Sequence, residues 1–150
     1  MVVLVIIGVM VSFLGLSVGG DKTAEQLLTE AQRIKTLVRL AQEEAVMRGE
    51  EYAIHFGDND YQFLILRNSK WVKISDDPVL RKRTLPDGME LRLDLEDNPL
   101  PNLSVDEADL PQVYLLSSGE MTPFELLFEA EKTEFTYRLK ATLLGEVEIE

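Results

Sequence analysis

The sequence predicts an α+β chain in which a long N-terminal helix packs on an antiparallel β-sandwich head. Three observations predict it. Residues 1–20 carry no charge at all. An apolar stripe at helical spacing follows, from Leu27 to Ala45. Beyond Gly49 the pattern changes to short alternating runs separated by turn residues, with no helical pattern between them. Parallel strands need crossover helices, so their absence leaves an antiparallel sandwich or a strongly curled sheet laid against the helix.

The opening run, Met1-Val-Val-Leu-Val-Ile-Ile-Gly-Val-Met-Val-Ser-Phe-Leu-Gly-Leu-Ser-Val18, continues neutral through Gly19-Gly20, and Asp21 is the first ionisable side chain. At about 1.5 Å per residue such a helix covers roughly 30 Å, the thickness of a bilayer's hydrocarbon core. A secretory signal peptide would open on basic residues, and none precedes Lys22. A core helix of a soluble protein would keep one polar face, and this one has none. A retained transmembrane or filament-packing helix over residues 1–20 is the reading that fits. Within it Val5 sits in the β-branched run, and Gly8, Ser12, Gly15 and Gly19 form a ridge of small side chains where another helix can approach closely.

Residues 21–49 read as an amphipathic helix. Leu27, Ala31, Ile34, Val38, Ala41 and Ala45 alternate steps of four and three, and Leu28, Leu37 and Val46 widen the stripe. Glu25, Glu30, Arg33, Lys35, Arg39, Glu43 and Glu44 fill the other faces. Arg48 closes the helix, with Gly49 as the residue that turns the chain out of it.

Residues 50–150 form the head. Tyr52, Ile54 and Phe56 alternate, Gly57-Asp58-Asn59-Asp60 turns, and Tyr61 to Leu66 returns as the partner strand. Arg67-Asn68-Ser69-Lys70 leads into Trp71-Val72-Lys73-Ile74. Met89, Leu91, Leu93 and Leu95 alternate with Glu90, Arg92 and Asp94, a half-buried strand. Gln112 to Leu116, Glu125 to Phe128, Glu134 to Ala141 and Glu146 to Glu150 supply four more candidates. Between Leu95 and Gln112 lies the loop Glu96 to Pro111, with three prolines and no base. Its acids Asp106, Glu107 and Asp109 are candidate partner contacts, since a structureless loop of this length is usually functional or mobile.

Composition excludes several classes. With 27 acids against 15 bases the net charge is −12, which disfavours nucleic acid. No cysteine is present, so disulfides and thiolate metal sites are excluded. The single histidine, His55, sits in a strand pattern, and neither a Gly-x-Ser-x-Gly elbow nor a P-loop occurs. Asp58-Asn59-Asp60 lacks the third spaced ligand, central glycine and distal glutamate of a calcium loop and reads as a hairpin turn. No catalytic set, cofactor site or metal site is expected. Arg81-Lys82-Arg83 is the one dense basic cluster, suited to a solvated loop or to an acidic partner surface.

Three stretches carry a resemblance. Met1–Gly8 resembles the second half of the stem of type IV pilin-like proteins. Leu40-Ala41-Gln42-Glu43-Glu44-Ala45-Val46-Met47-Arg48-Gly49 resembles the helix end that runs into their first strand. Ser117-Ser118-Gly119-Glu120-Met121-Thr122-Pro123-Phe124 is similar to the Ser-Gly-Glu-x-Thr-Pro-Phe segment of one branch, the minor pseudopilin H family of type II secretion, which also holds the FimT-type minor pilins. Ser118, Gly119, Glu120, Thr122, Pro123 and Phe124 are its most discriminating residues.

The resemblance implies a pilin-like fold and a structural role rather than an enzymatic one. It implies a single-pass protein of the bacterial inner membrane with its head in the periplasm, joining a tip complex of minor pseudopilins to the major pseudopilin of a short secretion filament. A minor pilin of a type IV pilus is the alternative within the same architecture; a membrane-anchored periplasmic binding module or enzyme is the alternative outside it. Family precursors carry a basic leader ending in glycine, then a phenylalanine and a glutamate, which a prepilin peptidase cuts and whose new N-terminus is methylated. Met1 aligns with the middle of that motif, the expected result of a late start codon or a truncation.

Overall fold

The computed structural model describes residues 2–95 and 110–150, with side chains described over residues 22–95 and 110–150. Helix α1 (Val2–Arg48) runs for 47 residues without a break at Gly19-Gly20. At the standard rise it is about 70 Å long. The change at residue 21 is therefore one of surface, not of backbone. Among the described residues no helix is long and apolar enough to cross a membrane. The side chains of the uncharged run, Val5, Gly8, Ser12, Gly15 and Gly19 included, lie outside the described residues.

The helix ends as its sequence requires. Gly49 has φ +64°, a left-handed conformation that glycine adopts without Cβ strain. The Glu50 N–H then donates to the Ala45 carbonyl at 3.2 Å, closing the six-residue loop of a Schellman cap. That turn aims the chain back along the helix and into the first strand.

The head holds two antiparallel sheets. In the first, β1 (Tyr52–Phe56) is central between β2 (Asp60–Arg67) and β6 (Val113–Leu115), with β3 (Lys70–Lys73) outside β2. A two-residue strand, β4 (Arg83–Thr84), pairs with the start of β2. The second runs β5 (Met89–Asp94), β7 (Phe124–Ala130), β8 (Tyr137–Ala141), β9 (Val147–Ile149). Register places Tyr52 opposite Ile65, Ile54 opposite Phe63 and Phe56 opposite Tyr61, so these six share the inner face. On the second sheet Leu91 faces Phe128 and Leu126 faces Leu139. The two inner faces meet at Phe56 and Phe124, whose ring centroids are 5.7 Å apart.

The helix closes this core. It touches β7, β8 and β9 of the second sheet and β1 and β6 of the first. Leu27, Ala31, Ile34, Val38, Ala41 and Ala45 are all fully buried. Alanine at three of the six positions keeps the helix axis close to the strands, since interaxial separation follows side-chain size.

Four local features differ from the sequence pattern. Val46 extends the apolar periodicity yet is half exposed, because α1 ends two residues later. Glu30, expected on a wet face, is buried and paired with Arg33 at 2.7 Å. The β8 strand begins at Tyr137 rather than Glu134, because the Phe135 N–H bonds back to Thr133 Oγ1 at 3.2 Å and holds a turn there. On the outer face of the first sheet, Ala53 and Leu64 are buried as well. Trp71 and Tyr114 reach across β1 and β2 from the flanking strands and meet with centroids 5.5 Å apart, roofing both residues. The loop from Glu96 to Asp109 lies outside the described residues.

Ile34→Asp or Val38→Asp places an unpaired charge in this core and is expected to cost more than about 3 kcal/mol. Arg39→Asp, on the exposed face, is expected to cost less than about 1 kcal/mol. Urea denaturation checks the contrast; equal midpoints for both kinds of variant would contradict the assigned buried face.

Candidate functional site: the joint between helix, sheets and the 117–124 segment

The segment Ser117–Phe124 is where the chain leaves the first sheet for the second, and it fastens three parts of the head. Its turn is closed by Leu116 N–H to the Glu120 carbonyl at 2.8 Å and Gly119 N–H to the Leu116 carbonyl at 3.0 Å. Ser118 Oγ accepts the Glu120 N–H at 3.4 Å. Thr122 locks onto β6 twice: its N–H donates to the Tyr114 carbonyl at 2.9 Å and its Oγ1 accepts the Tyr114 N–H at 3.0 Å. Met121 is buried, and its N–H donates to the Leu143 carbonyl in the β8–β9 turn at 3.0 Å. Pro123, half-buried, then hands over to Phe124, which starts β7 and packs on Phe56.

Two side chains outside the segment hold it. The Glu51 carboxylate, just past the helix cap, accepts the Ser117 N–H at 2.8 Å and the Ser117 hydroxyl at 2.6 Å. Bonds to a charged acceptor are the stronger class. From about two helical turns before the cap, Gln42 Nε2 donates to the Gly119 carbonyl at 2.7 Å. The same amide lies against Gly145, where φ is +86° and an added Cβ would collide with it. Neither Gln42 nor Glu51 stands out in the sequence. Their partners are 77 and 66 residues away, beyond any local pattern. Around this joint the surface is apolar: Val46, Met47, Leu143 and Leu144 are all exposed.

Among the described residues, the polar groups that the sequence singles out are engaged by the fold. His55 is half-buried, with Nδ1 2.9 Å from the Leu110 carbonyl. The Asp58-Asn59-Asp60 turn spends its carbonyls on the fold, accepting Leu91 N–H at Asp58 (2.6 Å) and Leu85 N–H at Asn59 (2.8 Å). No metal-ligand cluster occurs among the described residues. A cavity of about 410 Å³ opens between the helix end and the β2–β3 hairpin, floored by Tyr52, Ile65 and Leu80 and rimmed by Arg48, Arg67 and Asp77. Backbone N–H groups of Leu80 and Val79 hold the Asp77 carboxyl below its usual range, the signature of a loop-capping aspartate. Burial pushes the Tyr52 phenol up, and pushes Tyr61 up to about 12, so both stay neutral hydroxyls across physiological pH. Asp106, Glu107 and Asp109 lie outside the described residues.

A helix this long, half embedded in an antiparallel two-sheet head, defines a pilin-like protein. Residues 30–145 match the family model for the type II transport protein GspH. The chain belongs to that family. It is 33% identical over 135 residues to the type II secretion system protein H of Pseudomonas aeruginosa, covering 84% of this chain and 76% of that one. The Aeromonas hydrophila protein of the same name is 26% identical over 147 residues, covering 91% and 80%. Among solved structures, the minor pseudopilin EpsH from the type 2 secretion system of Vibrio cholerae superposes with a TM-score of 0.70 at 26% identity, covering 85% of this chain and 94% of that chain. The solution structure of Escherichia coli GspH shares the fold, with a TM-score of 0.68 at 20% identity over 87% of this chain and 92% of its own. Membership makes this a structural minor pseudopilin of type II secretion and not an enzyme.

Gly145→Ala is expected to cost about 2 kcal/mol, from strain at positive φ and from driving Gln42 off the Gly119 carbonyl. Gln42→Ala is expected to cost about 1 kcal/mol. The double variant should fall short of the sum by about 1 kcal/mol, since the collision is then gone. Strict additivity in a urea double-mutant cycle would contradict the coupling.

Proposed function

We propose that this chain joins the tip complex of minor pseudopilins to the major pseudopilin shaft of a type II secretion pseudopilus. Its uncharged stem is held in the bacterial inner membrane, and its head stands in the periplasm. The observation that carries the reading is the single helix with two surfaces: residues 1–20 without charge, then a stripe that the head buries from Ala24 to Ala45. An uncharged helix exchanges lipid for a bundle of similar helices at little electrostatic cost, whereas a charged one would not leave or enter the bilayer so easily. The ridge of Gly8, Ser12, Gly15 and Gly19 supplies the close-packing side for the partner stems. The Ser117–Phe124 segment acts through the fold: it fixes the head rigidly on the helix, so that motion of the stem is transmitted to the head. The partners are then the other minor pseudopilins and the major pseudopilin, with a prepilin peptidase acting on the leader-bearing precursor. The acidic residues Asp106, Glu107 and Asp109 belong to the head's partner-facing surface in this reading.

Extended by a basic leader ending in glycine, followed by the family's phenylalanine and glutamate, the protein is expected to be cut by a prepilin peptidase and to copurify with the major and minor pseudopilins. Started at Met1 it should insert in the membrane and remain uncut. Immunoblots and affinity purification from the co-expressing cell read both outcomes. An extended form that is neither cut nor copurified would overturn the filament reading.

A further inference from the structure

The chain holds five methionines and no cysteine, so its sulfur chemistry is that of the thioether. Three of the five, Met47, Met89 and Met121, have described side chains, and the fold treats them in opposite ways. Met121, in the crossing between the sheets, is 1% exposed, and Met89, which opens β5, is 3% exposed. Both belong to the core. Met47, in the last turn of α1, is 74% exposed.

Its position adds to its exposure. The backbone there is held by the helix and by the cap, with Gly49 at positive φ and the Glu50 N–H on the Ala45 carbonyl. The adjacent Val46 reaches the joint: its Cγ2 lies 3.8 Å from where a Cβ on Gly119 would stand. Val46, Leu143 and Leu144 expose hydrocarbon alone, which no mild reagent alters. Met47 exposes a thioether, and oxidation turns that apolar group into a polar, chiral sulfoxide.

We propose that Met47 is a site of reversible oxidation, at which hydrogen peroxide makes the apolar surface beside the joint polar while the core methionines stay reduced. A lone pair of Met47 Sδ attacks one peroxide oxygen, and an S–O bond forms as the O–O bond breaks. The other oxygen leaves as hydroxide and takes the proton of the first, giving sulfoxide and water. Sulfur is oxidised by two electrons and the peroxide is reduced by two. Attack requires the oxidant to touch the sulfur, and close packing around Met89 and Met121 denies it that contact. A sulfoxide at Met47 stays in water, so it buries no new polar group and leaves the fold in place. Methionine sulfoxide reductases, one for each epimer, restore the thioether with a thiol as electron donor.

The test exposes the full chain in detergent micelles to hydrogen peroxide and follows each methionine by peptide mass spectrometry. Met47 should oxidise within about three-fold of the rate of N-acetylmethionine, and Met89 and Met121 at least about ten-fold more slowly. In urea that unfolds the head, the three rates should converge within about three-fold. The chain oxidised at Met47 should melt within about 2 °C of the reduced chain, as should Met47→Leu. Both reductases together, with dithiothreitol, should return the Met47 peptide to its reduced mass. Equal rates at Met47 and Met121 in the folded chain would overturn the site. Loss of the cooperative melt on oxidation of Met47, with Met47→Leu melting normally, would overturn its tolerance by the fold. A sulfoxide that both reductases leave in place would overturn the reversibility.

Discussion

Burial of one face of the second half of α1 is the constraint on which the head depends. Two small antiparallel sheets, one ending in strands of two and three residues, expose wide inner faces. The pair in contact through Phe56 and Phe124 still leaves one side of the core open. Six fully buried helix positions close it, and β1, β6, β7, β8 and β9 all reach the helix. A domain of this size has stability only slightly above its conformational entropy cost, so removal of one wall of the core would not be tolerated.

That dependence makes the helix mechanically part of the head. The Schellman cap at Gly49 sets where the helix stops, Glu51 grips Ser117 directly after it, and Gln42 grips Gly119 from about two turns before it. The second half of the helix and the sheets therefore share backbone, core and hydrogen bonds. A load on the helix reaches both sheets without crossing a flexible linker. This is the physical content of a structural role: the parts that matter are packing surfaces and fixed angles.

Features with a local period were legible in the sequence. Leu27 to Ala45 could be read because a helix with one wet face repeats every three or four residues, and Met89 to Leu95 because a half-buried strand repeats every two. Gly49 could be read because a helix end favours a residue free to adopt positive φ. What escaped depends on distant partners. Ala53 and Leu64 are buried on the outer face only because Trp71 and Tyr114 meet above them. Glu30 is buried because Arg33 neutralises it beside Tyr61. Val46 keeps the apolar period into a stretch where the sheets no longer cover it. The Ser117–Phe124 segment could be matched to a family by its residues, but its work as the crossing between sheets, tied to Gln42 and Glu51, is visible only in three dimensions.

The central claim is that residues 21–49 belong to the head's core rather than to its support. Thermal unfolding of two truncated chains, residues 21–150 and residues 50–150, tests it most directly by circular dichroism. The account predicts a single cooperative melt for 21–150 and no cooperative transition for 50–150, whose sheets lack their third wall. A cooperative melt of 50–150 at the same temperature as the longer chain would contradict it.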